Sequence, residues 1–200
     1  MDYIFENNNA DITLVLFHGT GGSKDDLIPL ARMIDKTANI LSLEGQVEES
    51  GMKRFFKRKR PGVFDEEDLE RRVETLKGFL DDVAKEKNLK REHFVMMGYS
   101  NGANIVGAML YHFTKPYRGA LLLHPMIPYQ DKELITQENL PVFIGAGNND
   151  PMCPSEETMA WAKKLNEAKA TVDIHWHASG HQLTQSELDA AKYFYDEHIK

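Results

Sequence analysis

The sequence predicts an α/β three-layer sandwich, a mostly parallel sheet with helices on both faces. Apolar runs such as Ile12 to Phe17, Gly119 to Leu123 and Pro141 to Gly147 lack inside–outside alternation, the pattern of strands buried on both sides. Helix-length segments separate these runs, so each strand must return by a crossover and lie parallel to its neighbour. The segment Val95-Met96-Met97-Gly98-Tyr99-Ser100-Asn101-Gly102 passes from strand to helix through a turn too tight for side chains at the two glycines that bracket Ser100.

In chain order, Tyr3 to Glu6 is expected as a short edge strand, and Asn7-Asn8-Asn9 as a turn before the first buried strand. That strand runs into His18-Gly19-Thr20-Gly21-Gly22, and Ser23 is the predicted N-cap of a helix reaching Lys36. Ala38 to Leu43 is the next strand. Glu44 to Phe64 has no clear periodicity and is expected as a long loop; loops at strand ends often carry substrate contacts. Asp65 to Asn88 is amphipathic, with Leu69, Val73, Leu76, Phe79, Leu80 and Val83 on one face. Phe94 to Met97 forms the central strand, and Asn101 to Phe113 a helix whose Gly102, Ala103, Gly107 and Ala108 let it lie close to the sheet. Helices from Pro154-Ser155 to Lys169 and from Thr184 to His198 flank a last strand, Thr171 to Trp176.

Length and composition narrow the function. Two hundred residues with no linker-like stretch suit a single domain spanning 1–200, and 42% hydrophobic with 28% charged residues is ordinary globular composition. A net charge of −7 repels a phosphate backbone, so nucleic acid is not an expected partner. No apolar run spans a bilayer and no signal peptide opens the chain, which leads to the expectation of a cytoplasmic protein without stable membrane insertion. Cys153 is the only cysteine, so an internal disulfide is excluded. Strand edges and helix faces leave a homodimer open.

Ser100, Asp150 and His181 each follow a predicted strand, and such loops open on one edge of a parallel sheet. A serine hydroxyl is a weak nucleophile; it needs a base, and the base needs a third group to fix its tautomer. The order Ser, Asp, His accompanies a strand–turn–helix nucleophile. The N–H groups of Thr20 and Asn101 are the candidate oxyanion donors. Because imidazole titrates near 6.5, activity is expected to rise through roughly pH 6 to 8 as the base becomes neutral.

At these residues the chain resembles the α/β-hydrolases, and within them the small carboxylesterase/phospholipase-type group without a cap domain. His18-Gly19-Thr20-Gly21-Gly22 is similar to that group's oxyanion motif, Gly98-Tyr99-Ser100-Asn101-Gly102 to its nucleophile turn, Asn149-Asp150-Pro151 with Pro154 to its acid loop, and Ser179-Gly180-His181 to its histidine loop. The segment Glu44 to Asp65 and Leu123-His124-Pro125-Met126 further resemble bacterial hydrolases associated with hydroquinone and quinone stress. The short front end departs from larger members and implies a trimmed sheet. The resemblance implies a serine carboxylesterase acting on small or exposed esters, with no cofactor; lysophospholipase or acyl thioesterase chemistry on the same triad, and a receptor without turnover, are the rivals.

Other residues carry weaker signals. The run Lys53-Arg54-Phe55-Phe56-Lys57-Arg58-Lys59-Arg60 is expected as a solvated basic face, with the alternative of a site for an anionic or aromatic substrate in which Met52, Phe55 and Phe56 form an apolar wall; Met126 is a further candidate substrate contact. His124 precedes a proline and reads as a strand-end turn. His175, His177 and His181 lack a ligand set at zinc spacing, so no metal is expected. Cys153 has no nucleophile turn and reads as a buried or loop thiol.

Overall fold

The computed structural model describes residues 1–200. In order the elements are β1 (Tyr3–Glu6), β2 (Thr13–Phe17), α1 (Ile28–Ile34), β3 (Asn39–Leu43), β4 (Val47–Glu49), β5 (Met52–Arg54), β6 (Arg58–Arg60), β7 (Val63–Phe64) and α2 (Glu66–Glu86). Then come β8 (Phe94–Tyr99), α3 (Asn101–Ala108), β9 (Gly119–Leu123), β10 (Pro141–Gly147), α4 (Ser155–Glu167), β11 (Thr171–His177) and α5 (Gln185–His198). Seven strands form one sheet in the order β1-β3-β2-β8-β9-β10-β11, parallel throughout except for β1, which pairs antiparallel with β3. The trimmed front end is therefore a single reversed strand at one edge.

Strand pleating splits the core. Along β8, Phe94 and Met96 join the layer under α2, α3 and α4, whereas Val95 and Met97 join the layer under α1 and α5. The stripe predicted on α2 buries Leu69, Val73, Leu76 and Leu80 completely, each contributing up to about 1.5–3 kcal/mol. Asp65 caps this helix by accepting from the Asp68 N–H at 3.2 Å, and Thr184 caps α5 with Glu187 in a reciprocal capping box. No helix is long and apolar enough to cross a membrane.

Two expectations about local structure need correction. The first helix starts at Ile28, after Leu27, because Ser23 caps a turn instead: its N–H and hydroxyl both reach the Asp26 carboxylate, at 3.1 and 2.7 Å. The expected Glu44–Phe64 loop contains two short antiparallel hairpins, β4–β5 and β6–β7. Their strands have two or three residues, too few for a periodic signal.

Candidate active site

The strand order reverses direction around β2: β3 lies on one side of it and β8 on the other. A crevice forms beyond the carboxyl ends of strands at such a point, and the chain places Thr20 after β2 and Ser100 after β8 there. Ser100 has φ +51° and ψ −113°, a backbone state that a side-chain-bearing residue rarely occupies. It is held by its N–H to the Leu123 carbonyl at 2.8 Å and its carbonyl to the Asn104 N–H at 2.9 Å. The bracketing glycines act through close approach: a Cβ on Gly98 would lie 2.6 Å from the Ala103 nitrogen, and one on Gly102 would collide with the Phe17 carbonyl.

The three loop residues converge. Ser100 Oγ lies 2.9 Å from His181 Nε2, and His181 Nδ1 lies 2.6 Å from Asp150 Oδ2. With Nδ1–H donating to the carboxylate, Nε2 is free to accept the serine proton. Asp150 Oδ1 accepts the Met152 and Cys153 N–H groups at 2.8 and 3.1 Å. Burial pushes the Asp150 carboxyl up, but bonds from His124, His181 and the Met152 N–H outweigh it and hold the group below the usual carboxylate range.

Thr20 and Asn101 line the same cleft as Ser100. The Thr20 N–H donates to nothing within the chain, and Asn101 opens α3, whose first N–H groups have no partner within the helix. Both residues are fastened by the segment that includes β5. Arg54 Nη1 donates to Thr20 Oγ1 at 2.6 Å, the Phe55 N–H to Asn101 Oδ1 at 2.7 Å, and the Gly21 N–H to the Lys53 carbonyl at 2.8 Å. His18 ties down the root of the loop, its Nε2 accepting the Gly45 N–H at 3.0 Å and its Nδ1–H donating to the Gly19 carbonyl at 2.6 Å.

The expected apolar wall takes a different form. Phe55 and Phe56 are buried in the core, Phe55 against Phe17 with ring centroids 5.3 Å apart and Phe56 against Phe64 at 5.0 Å, so neither faces the cleft. Covering the apolar ends of β2 and α2 removes more hydrocarbon from water than an open wall would. Met52 is exposed beside Gly21, outside the cleft, whereas Met126 lines it together with Phe64 and Met152. The basic run also divides: Lys59 and Arg60 are exposed, while Arg54 is buried and lines the cleft with Arg58. Glu49 neutralises part of this charge, accepting from Arg58 Nε at 2.9 Å and lying 3.4 Å from Arg54 Nε. The Arg54 Nη2 group makes no hydrogen bond within the chain.

The sequence profile of the dienelactone hydrolase family matches residues 49–198, a span holding Ser100, Asp150 and His181. The chain belongs to the dienelactone hydrolase family. The MhqD hydrolase of Bacillus subtilis (strain 168) is 45% identical over 199 residues, covering 100% of both chains. A crystal structure of the Bacillus cereus carboxylesterase superposes with a TM-score of 0.97 at 44% identity, over 99% of this chain and 94% of that one. A structure of YahD with malic acid matches with a TM-score of 0.93 at 30% identity, over 98% of each chain. This member of the dienelactone hydrolase family is a hydrolytic enzyme, a carboxylic ester hydrolase, with the α/β-hydrolase fold and no large cap.

Sequence reading takes Arg54 only as part of a basic run and His124 as a strand-end turn, whereas in this dienelactone hydrolase family chain Arg54 lines the cleft and His124 Nδ1 lies 2.9 Å from Asp150 Oδ2. The signal for His124 was its place at the end of β9, on the edge that also carries Ser100 and Asp150. Cys153 is buried, donates to the His124 carbonyl at 3.3 Å, and is pushed well above the usual thiol range by burial and the nearby Asp150 and Glu157 carboxylates. Iodoacetamide at pH 8 should therefore leave the folded protein unmodified and alkylate one thiol after unfolding, measured by intact mass. Rapid alkylation of the native protein would refute this placement.

Proposed function

We propose that the protein is a serine carboxylesterase working through an acyl-enzyme. Ser100 attacks the ester carbonyl as His181 Nε2 takes its proton; the tetrahedral oxyanion is met by the Thr20 and Asn101 N–H groups; and His181 returns the proton to the leaving alcohol. Water then attacks the acyl-enzyme by the same route, with Asp150 holding His181 in the productive tautomer throughout. The observation that carries this reading is the unbroken chain from Ser100 Oγ through His181 to Asp150, at 2.9 and 2.6 Å. A fluorophosphonate probe should form a stoichiometric adduct on Ser100, located by peptide mass spectrometry; absence of labelling in active protein would sink the mechanism, and absence of both labelling and turnover would revive the receptor reading.

Arg54 and Arg58 at the cleft, only partly offset by Glu49, favour esters whose acyl part bears a negative charge. The similarity to a protein solved with malic acid, a dicarboxylate, is in keeping with this. Replacing Arg58 by Ala should raise KM for a hemisuccinate ester about tenfold or more, while changing KM for a neutral acetate ester less than about threefold. Equal effects on both esters would remove the charge argument. Acyl thioesters and lysophospholipids belong in the same panel, because the fold alone does not separate these reactions.

A further inference from the structure

His124 is a buried residue that the proposed mechanism does not use. It sits at the end of β9 with φ +54°, its N–H bonded to the Gly145 carbonyl at 2.8 Å. Its Nδ1 lies 2.9 Å from Asp150 Oδ2, the same oxygen that faces His181 Nδ1 at 2.6 Å. Its other nitrogen, Nε2, lies 3.4 Å from Glu187 Oε1 and 3.3 Å from His177 Nε2. Glu187 is fully buried, in space that exists because residue 145 is glycine: a Cβ there would collide with Glu187 Oε1.

Hydrogen-bond directions fix what this cluster does. His177 Nδ1 accepts the Ser179 N–H at 3.1 Å, so the His177 proton sits on Nε2. That nitrogen is a donor and is unavailable to a metal, although His124, His177 and Glu187 present their ligand atoms close together. An Asp150 carboxylate can only accept, so His124 carries a proton on Nδ1 whatever its total charge. We infer that His124 is a positioning residue for the acid of the triad: its Nδ1–H bond locks the Asp150 carboxylate and moderates how tightly Asp150 holds a protonated His181. This rests on the roles proposed above for Ser100, His181 and Asp150.

The predicted sign does not depend on the charge of His124. If it is cationic, it repels a second proton on His181; if neutral, it still draws electron density from the shared oxygen. Removing the Nδ1–H leaves a more basic Asp150, a more persistent His181 imidazolium and an acidic limb moved to higher pH. The titratable groups around His124 are Asp150 on the β10–α4 loop, Glu187 on α5, His177 on β11, His181 on its loop, Tyr99 on β8 with its ring 5.9 Å away, and the Cys153 thiol. Burial lowers the His124 pKa, but the Glu187 and Asp150 carboxylates raise it further, to a net increase.

Paired amides test the inference, because Asn places an N–H near the Nδ1 position and Gln near Nε2. On p-nitrophenyl acetate, His124→Gln should lower kcat about tenfold or more, leave KM within about twofold, and move the acidic limb of kcat/KM up by about half to one pH unit. His124→Asn should recover most of the loss, and Asn also tolerates the positive φ. Equal activities and pH profiles for the two variants would overturn the inference. If His124→Gln does not fold, imidazole 15N spectra of the wild-type enzyme decide: His124 must be protonated at Nδ1 across the active pH range, and an unprotonated Nδ1 overturns it. Fluorophosphonate labelling of the wild type separates the two ideas. No adduct on Ser100 defeats the serine mechanism, whereas a normal adduct with an unaltered His124→Gln profile defeats only the role of His124.

Discussion

Replacing Ser100 by Ala should lower kcat on p-nitrophenyl acetate by roughly 10⁴-fold or more while leaving the protein folded. The hydroxyl is the only atom lost, and the backbone bonds that hold position 100, to the Leu123 carbonyl and from the Asn104 N–H, are independent of it. Alanine at φ +51° is strained as serine is, so the cost of the turn is already present in the native chain. Residual turnover above water, from the Thr20 and Asn101 N–H groups and from binding, is expected to survive. The measurement is kcat/KM beside thermal unfolding. A variant that keeps most of its activity would remove Ser100 from the mechanism, whereas lost activity with a large drop in Tm would leave the loss attributable to the fold.

Replacing Gly102 by Ala should have the largest effect on stability. Gly102 has an ordinary helical backbone, so its requirement is spatial: α3 lies so close to the end of β2 that an added Cβ would collide with the Phe17 carbonyl and lie 2.7 Å from the His18 carbonyl. Both obstacles are main chain, so no side-chain rotation relieves them. Either α3 lifts from the sheet or the His18–Thr20 loop shifts. We expect a loss of about 3 kcal/mol or more, seen as a Tm lower by roughly 6–12 °C for a chain of this size. Activity should fall as well, because the displaced segments carry the Asn101 and Thr20 N–H groups. An unchanged Tm would show that the helix and strand are farther apart than described.

The strand–turn–helix pattern was legible because its signals are local and strong. Runs such as Leu14 to Phe17 are apolar on both faces because helices cover both, and Gly98 and Gly102 stand where the backbone leaves no room. The convergence of Ser100, Asp150 and His181 followed from topology, since loops after parallel strands share an edge. What escaped detection depends on side-chain direction. Nothing in the run from Lys53 to Arg60 tells that Arg54 turns toward the cleft, that Phe55 and Phe56 turn into the core, or that Lys59 and Arg60 stay in water. The N-cap expected at Ser23 fails for a related reason: Asp26 competes for the backbone and delays α1 to Ile28. His124 was obscured by the proline that follows it, which marks a turn but says nothing about what the imidazole meets.

The segment holding β4 to β7 fastens Thr20 and Asn101 from one side, yet its tips have open space around them: added Cβ atoms on Gly51 and Gly62 would touch nothing, and only the positive φ of these two glycines, +79° and +74°, resists a side chain there. Its roots and its tips therefore face different constraints. Lengthening the exposed end near Pro61-Gly62, with Gly62 itself kept, would re-contour the cleft that Gly62 lines while Ser100, His181 and Asp150 stay where they are. Directed evolution of acyl preference has its natural handle there, on a graft point that the sheet supports but does not police.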